Sequence, residues 1–293
     1  MKKNILVFSL LLLFAFTGQA QDLHFTQYYA TPMTLNPALT GALSGKYRFA
    51  FQYRDQWRSS LESPFSSFSA ALDLRFPTQG GRSPLKDAVG AGIQFQTDRV
   101  SDLGFSITQM GLFGAFHKSL NERNNQYLSG GIRMAFFQRN VNYQSLNFGD
   151  EFDGTTGYTI GTSEALPANN YSYTDLSIGA SYTYAPKNGL AVFAGLAYHH
   201  VTKPQLSFYY DEENPRASGD SPLYRKLTGH VNIQIPVTAR LRITPRANVH
   251  LQGPHMEINA GTNFRLAVGE YGGSAFHIGG WVRPVTTVEN SFY

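Results

Sequence analysis

Apolar and polar residues alternate position by position over most of the chain. In residues 46–53, Tyr47, Phe49, Phe51 and Tyr53 share one face, and Arg48, Ala50 and Gln52 share the other. The next run sets Phe68, Ala70, Leu72, Leu74 and Phe76 against Ser69, Ala71, Asp73 and Arg75. Period two is the signature of a strand with two unlike faces. The same pattern recurs over 89–96, 110–116, 128–136, 176–184, 190–198, 227–235, 241–251, 256–264 and 276–282. Each run approaches the roughly 9–11 residues that a tilted strand needs to cross a bilayer. The predicted fold class is all-β: an antiparallel transmembrane outer-membrane β-barrel. About 11 strands are visible, and about 12–14 are expected if it is complete, because single-chain bacterial barrels have even counts. Thr287, Glu289 and Ser291 hold alternate positions where a closing strand would be apolar. A barrel over 46–293, truncated at its C-terminus, is the resulting expectation.

Composition separates this reading from a large secreted β-sandwich. Charged residues make up 15% of the chain, against roughly 25% in soluble domains. The polar content is instead Gly, Ser, Thr, Asn and Gln, as expected where one face meets lipid and the other water. The chain has 22 Phe and 17 Tyr but only 2 Trp. Tyr47, Tyr53, Phe76, Phe95, Phe105, Tyr127, Tyr173, Tyr184 and Tyr198 stand near strand ends, where interfacial girdles form. Gly92, Gly131 and Gly179 fall on polar faces and predict curvature or the close approach of another chain segment inside the lumen.

The gaps between strands orient the molecule. The longest, about 140–170 and 202–223, follow the fifth and seventh strands, while those after the sixth and eighth are tight. Long loops face the exterior, so the N-terminus is periplasmic. The acidic runs Asp150-Glu151-Phe152-Asp153 and Asp211-Glu212-Glu213 then fall in exterior loops, as solvated charge or, less simply, as cation ligands.

Residues 1–20 read as a signal peptide: Lys2 and Lys3, an apolar stretch over 5–16, and small Gly18 and Ala20 before Gln21. Beyond Ala20 no apolar run reaches the length of a helical span. The chain has no Cys, which excludes disulfides and a lipoprotein anchor. The net charge of +4 is spread singly along strands, with no basic stripe, so nucleic acid is excluded as a partner. Arg48, Arg75, Arg133, Arg242 and Arg246 are expected in the lumen.

Residues 21–45 do not alternate. Pro32 and Pro37 break any strand or long helix, yet Phe25, Tyr28, Tyr29, Met33 and Leu35 are too apolar for a solvated tail. A plug or hatch folded into the barrel is predicted here. Gln21-Asp22, Phe25-Thr26-Gln27-Tyr28, Pro32, Asn36-Pro37-Ala38 and Gly41, followed by Tyr53-Arg54-Asp55-Gln56-Trp57, resemble the PorP/SprF family of type IX secretion systems. Leu23 stands where that family would carry Pro. The resemblance runs diffusely to about Arg283. It implies an outer-membrane, non-enzymatic component that supports export or surface attachment of secreted cargo or adhesins by docking. Type IX subunits, cargo and outer-membrane lipid are its implied partners, and gliding motility is the associated process. Asn-Pro-Ala is also similar to the hatch of FadL-type fatty-acid transporters, and the alternative reading is a FadL-like or porin-like channel for small or hydrophobic solutes.

The candidate partner and plug residues are Phe25, Gln27, Tyr28, Asn36, Pro37, Arg54, Asp55, Gln56 and Trp57. Asn36 and Pro37 are expected to shape the plug. An Arg54–Asp55 pair is expected to brace the first exterior loop, with Trp57 in the girdle. No phosphate loop, nucleophile elbow or metal-spaced Cys/His set is present, and no cofactor is implied. His199 and His200 are neighbours on a strand, so they are expected on opposite faces and not in one site.

Overall fold

The computed structural model describes residues 28–59, 64–78, 84–100, 104–155, 157–158, 161–209, 222–268 and 274–287. The signal peptide, Phe25, Gln27 and the acidic run 211–213 lie outside the described residues.

Each of the eleven alternating runs forms one strand: β1 (Tyr47–Gln56), β2 (Phe65–Pro77), β3 (Ala88–Val100), β4 (Phe105–Ser119), β5 (Gln126–Asn140), β6 (Asn170–Tyr184), β7 (Ala191–His199), β8 (Lys226–Pro236), β9 (Leu241–Gln252), β10 (His255–Val268) and β11 (Ser274–Val282). A three-residue β12 (Val285–Thr287) follows. β1 to β11 run from 9 to 15 residues, several longer than their periodic cores. They form one antiparallel sheet in simple chain order, β1 to β11. β12 pairs with the other half of β10, past the Arg283-Pro284 step. This meander follows from the short connections, because an antiparallel pair can be joined by a tight turn.

The sheet is polar inside and apolar outside. Ser67, Ser69, Asp73, Gln94, His117 and Asn248 are buried, whereas Phe51 is 70% and Ile132 50% exposed. Hydrocarbon must cover such a continuous apolar face, since soluble proteins rarely expose large apolar patches. Among the described residues, no helix is long and apolar enough to cross a membrane. Three members of the expected girdle turn inward: Tyr173 stacks on Phe137 with ring centroids 4.8 Å apart, Tyr127 lies under Arg75, and Phe105 lies under Arg139. Strand-end position alone does not select a face; parity within the strand does.

The sheet curls. Arg54 and Gln56 of β1, Arg283 beyond β11, and side chains from the strands between them line one cavity. Among the described residues no ladder joins β1 to β11. The N-terminal segment touches both edges instead: Tyr29 stacks on Trp281 of β11 at 5.8 Å, and Thr31 Oγ1 donates to Gln52 Oε1 of β1 at 3.4 Å.

Leu112 is the central residue of β4 and faces outward. Leu112→Arg is expected to cost about 2 kcal/mol, the penalty for a cation near the bilayer midplane. Urea unfolding from lipid vesicles measures it. A cost near zero would mean that this face does not meet hydrocarbon.

Candidate functional site

The inner wall carries a belt of small residues. Gly90, Ala115, Gly131, Gly179 and Ala197 stand in register across β3 to β7. Five adjacent strands thus offer no side chain larger than a methyl at one height, and another backbone can lie against them.

The N-terminal segment fills that groove. It consists of a 3₁₀ turn (Tyr28–Ala30), a one-turn helix α1 (Pro32–Leu35) and a second 3₁₀ turn (Pro37–Leu39). Pro32 and Pro37 begin their turns, where a missing N–H costs nothing and φ is already set. Asn36 caps the second turn by accepting the Ala38 N–H at 2.9 Å. The contacts are close: a Cβ at Gly131 would stand 2.4 Å from Ala38 N, and one at Gly179 would stand 2.0 Å from Asn36 Oδ1. Met33 packs with Ala71 and Phe113 into a small apolar cluster on the inner wall. The glycines that the sequence placed on polar faces are therefore the seats of the segment.

Polar groups pin it. Asn36 is fully buried. Its Nδ2 donates to the carbonyls of Ala180 at 3.0 Å and Leu196 at 3.1 Å, and stands 3.2 Å from His230 Nε2. The buried Asp73 carboxylate accepts the Gly41 N–H at 2.7 Å and takes Arg48 through Nε at 2.9 Å and Nη2 at 2.7 Å. Arg75 donates to the Gly41 carbonyl at 3.0 Å, and His117 Nε2 meets the Thr40 carbonyl at 2.8 Å. The tight turn at Gly41 needs φ of +71°, which favours glycine.

Chambers lie on either side of the segment. The one toward the long loops has a volume of about 430 Å³ and includes Thr34, Arg54, Gln56 and Arg133 in its lining. The one toward the short turns, about 800 Å³, takes Pro32, Leu35 and Leu39 as part of its wall, with Arg48, Arg75, Arg242 and Arg246. All five arginines expected in the lumen face these chambers.

The predicted residues separate into groups. Asn36 and Pro37 sit at the dock, and Tyr28 belongs to the first 3₁₀ turn of the same segment. Arg54 and Gln56 line the loop-side chamber. The expected Arg54–Asp55 brace is replaced: Asp55 pairs with Arg58, through both Nε and Nη2. Successive strand residues point to opposite faces, so Arg54 turns inward and Asp55 does not. Trp57 follows the end of β1 with 64% exposure and a left-handed φ of +67°.

The separation expected for His199 and His200 does not hold. His200 follows the end of β7 with φ of +58°, which breaks the alternation. Both rings are buried, 6.3 Å apart, and both line the loop-side chamber. His200 Nδ1 stands 3.0 Å from Asp175 Oδ2. The acidic run 150–153 is not simply solvated. Asp150 accepts from the Ser163 N–H and from the hydroxyls of Ser163 and Thr162, and these bonds, the Ser163 N–H first, hold its carboxyl below the usual range. Asp153 caps the turn that follows through Thr155 and Gly157. Among the described residues no group of three or more His, Asp or Glu could hold a metal. Sequence reading did not single out Asp73 or His117. Their signal was present, as a carboxylate and an imidazole at inner positions of strands otherwise lined by small polar residues.

No curated protein matches the sequence. Among solved structures, the copper transporter OprC aligns with a TM-score of 0.39 and 14% identity, over 80% of this chain and 43% of that one. The chain thus spans under half the length of OprC. The translocator domain of the autotransporter NalP from Neisseria meningitidis aligns with a TM-score of 0.39 and 14% identity, over 77% of this chain and 76% of that one. The family model described as type IX secretion system membrane protein PorP/SprF matches residues 17–292. The motifs around Asn36-Pro37 and Arg54–Trp57 lie within that span, and the chain belongs to the PorP/SprF family of type IX secretion membrane proteins.

Proposed function

We propose that this protein is a plugged outer-membrane barrel that supports type IX export or surface attachment by docking cargo, adhesin or machinery subunits. The observation that carries this reading is the seating of residues 31–41. The segment is buried against the small-residue belt and held by Asn36, Asp73, Arg75 and His117. A segment held this way works as a plug and a rigid platform. In this reading β1 and β11 complete the barrel in the membrane, because unpaired strand edges cannot face hydrocarbon. The signal peptide delivers the chain for export, and Phe25 and Gln27 are the remaining motif positions of this reading.

The loop-end rim supplies the outward contacts. Trp57 is large, exposed and conformationally strained, which suits a partner anchor as well as a girdle. In a strain lacking the gene, restoring the wild-type protein should restore secretion, and a tagged copy should co-purify type IX subunits or one large secreted protein. Trp57→Ala is expected to leave the barrel folded and to abolish secretion of one substrate. Wild-type secretion from Trp57→Ala would confine Trp57 to the girdle, and recovery of the barrel alone, with secretion surviving deletion of the gene, would overturn docking.

A channel for small solutes is the second reading. The arginines lining both chambers favour it, since they would set an anion preference. Planar-bilayer currents decide between the two: a large open conductance from the intact protein would favour the channel.

A further inference from the structure

The lip of the short-turn mouth carries cations that no described carboxylate neutralises. The turn after β6 and the turn after β8 meet there around a cleft of about 430 Å³. Lys187 comes from the first turn, Arg240 from the second, and Arg242 and Arg265 from β9 and β10 beside them. No carboxylate is among the described residues that line the cleft. Arg242 and Arg265 stand directly opposite each other in the β9–β10 register. Like charges placed this way are destabilising. On its other side Arg265 faces His277 of β11, which is again no acid. Arg242 reaches the Gln234 amide oxygen at 3.4 Å. That contact is long and its acceptor is neutral, so the charge remains.

Elsewhere the chain gives cations their partners. At the same end of the sheet Lys118 binds Asp87 at 2.7 Å, inside the lumen Arg48 binds Asp73 at 2.7 Å, and at the opposite end Arg58 binds Asp55. The lip cations come from separate stretches of chain, and strand pairing brings them together without an acid. Departures of this kind from local stability rules gather where function requires them.

We propose that the lip is the docking site for an acidic segment, rich in Asp or Glu, of a partner protein. It rests on the docking reading above and gives one partner its chemistry. The face of the cleft separates a protein from a lipid. Arg242 also lines the turn-side chamber, and Ala191 in the cleft wall is buried, so the cleft belongs to the lumenal side of the lip. Acyl chains lie against the outer face, where Leu190 and Ile235 are exposed. A phospholipid anchored there would have to pass its headgroup over the rim, whereas a peptide enters from the aqueous mouth. Carboxylates along an extended segment would meet Lys187 and Arg240 and relieve the opposition of Arg242 and Arg265. In the orientation drawn from the loop lengths, this end faces the periplasm. Complementary charge there would speed encounter and fix the register of the docked segment.

The test uses the full chain in phosphatidylcholine nanodiscs and a fluorescent oligoglutamate peptide, followed by anisotropy at fixed ionic strength. Saturable binding is expected, weakened by about tenfold in Arg265→Gln and in the double variant Lys187→Gln/Arg240→Gln. Lys118→Gln, at another turn of the same end, should bind as the wild type does, and an oligoglutamine peptide should not bind. Arg265→Gln should also unfold at the same or a higher urea concentration than the wild type, because it removes a like-charge opposition. A lower urea midpoint would make Arg265 a structural residue and overturn its place in the site. Retention of phosphatidylglycerol in native mass spectrometry, lost in Arg265→Gln and without peptide binding, would assign the lip to a headgroup and overturn the proposal. No saturable peptide binding by folded wild-type protein, equal weakening by Lys118→Gln, or equal binding of oligoglutamine would overturn it as well. Peptide binding is read without secretion, so its failure leaves the docking reading to its own test in the deletion strain.

Discussion

Replacing Asp73 by alanine is expected to destabilise the protein by about 3 kcal/mol. The carboxylate is almost fully buried and serves two partners at once, the Arg48 guanidinium and the Gly41 N–H. Breaking a buried pair by removing one partner costs about 3–5 kcal/mol, because the remaining charge stays buried without its counterion. Arg48 keeps 27% side-chain exposure, so water recovers part of that loss and the lower end applies. The orphaned Gly41 N–H adds to it. Urea unfolding from lipid vesicles, followed by tryptophan fluorescence, gives the number. The double variant Arg48→Ala/Asp73→Ala should cost at least about 1 kcal/mol less than the sum of the singles, because the two residues touch. A single-variant loss well under about 1 kcal/mol, or strict additivity, would show that the pair does not hold the segment's end.

The second large effect is expected from Gly131→Leu. The added Cβ would overlap Ala38 N, whose position is fixed by Asn36 and by the belt itself. The neighbour is backbone, so no flexible side chain can move aside. Overpacking of this kind costs about 1–3 kcal/mol, occasionally more. Here the cheaper outcome for the molecule is to expel the segment. The sheet should remain folded while amides of residues 33–41 lose protection from hydrogen exchange by about a hundredfold. Ala115→Leu, at the same height on β4, should act in the same direction. Unchanged protection in Gly131→Leu would mean that the segment does not depend on the belt.

The strands were legible because their pattern is local. One apolar face and one polar face, repeated eleven times, admit few other folds, and each run became a strand. The belt was half legible. Gly92, Gly131 and Gly179 could be seen to lie on polar faces, but their common height depends on strand register, which pairing sets and sequence spacing does not. The dock at Asn36-Pro37 was legible as a turn and a motif, whereas its partners Ala180, Leu196 and His230 are more than 140 residues away. The histidine pair was misread for a local reason. Alternation holds only while the backbone stays extended, and His200 leaves the strand. The Asp55 pairing followed the opposite logic: the alternation that organises the whole chain rules out a bond between adjacent side chains.

The belt also has a consequence for assembly order. The segment precedes β1 in the chain, yet its seat is shared among β3 to β7, with the Asn36 amide reaching β8 as well. It can only settle after those strands have paired. A slip of one residue in any of them would turn the wrong face inward and leave no complete groove. The stretch that precedes the first strand thus acts as a late gauge of alignment, closing only on a sheet whose strands have met in the correct offset.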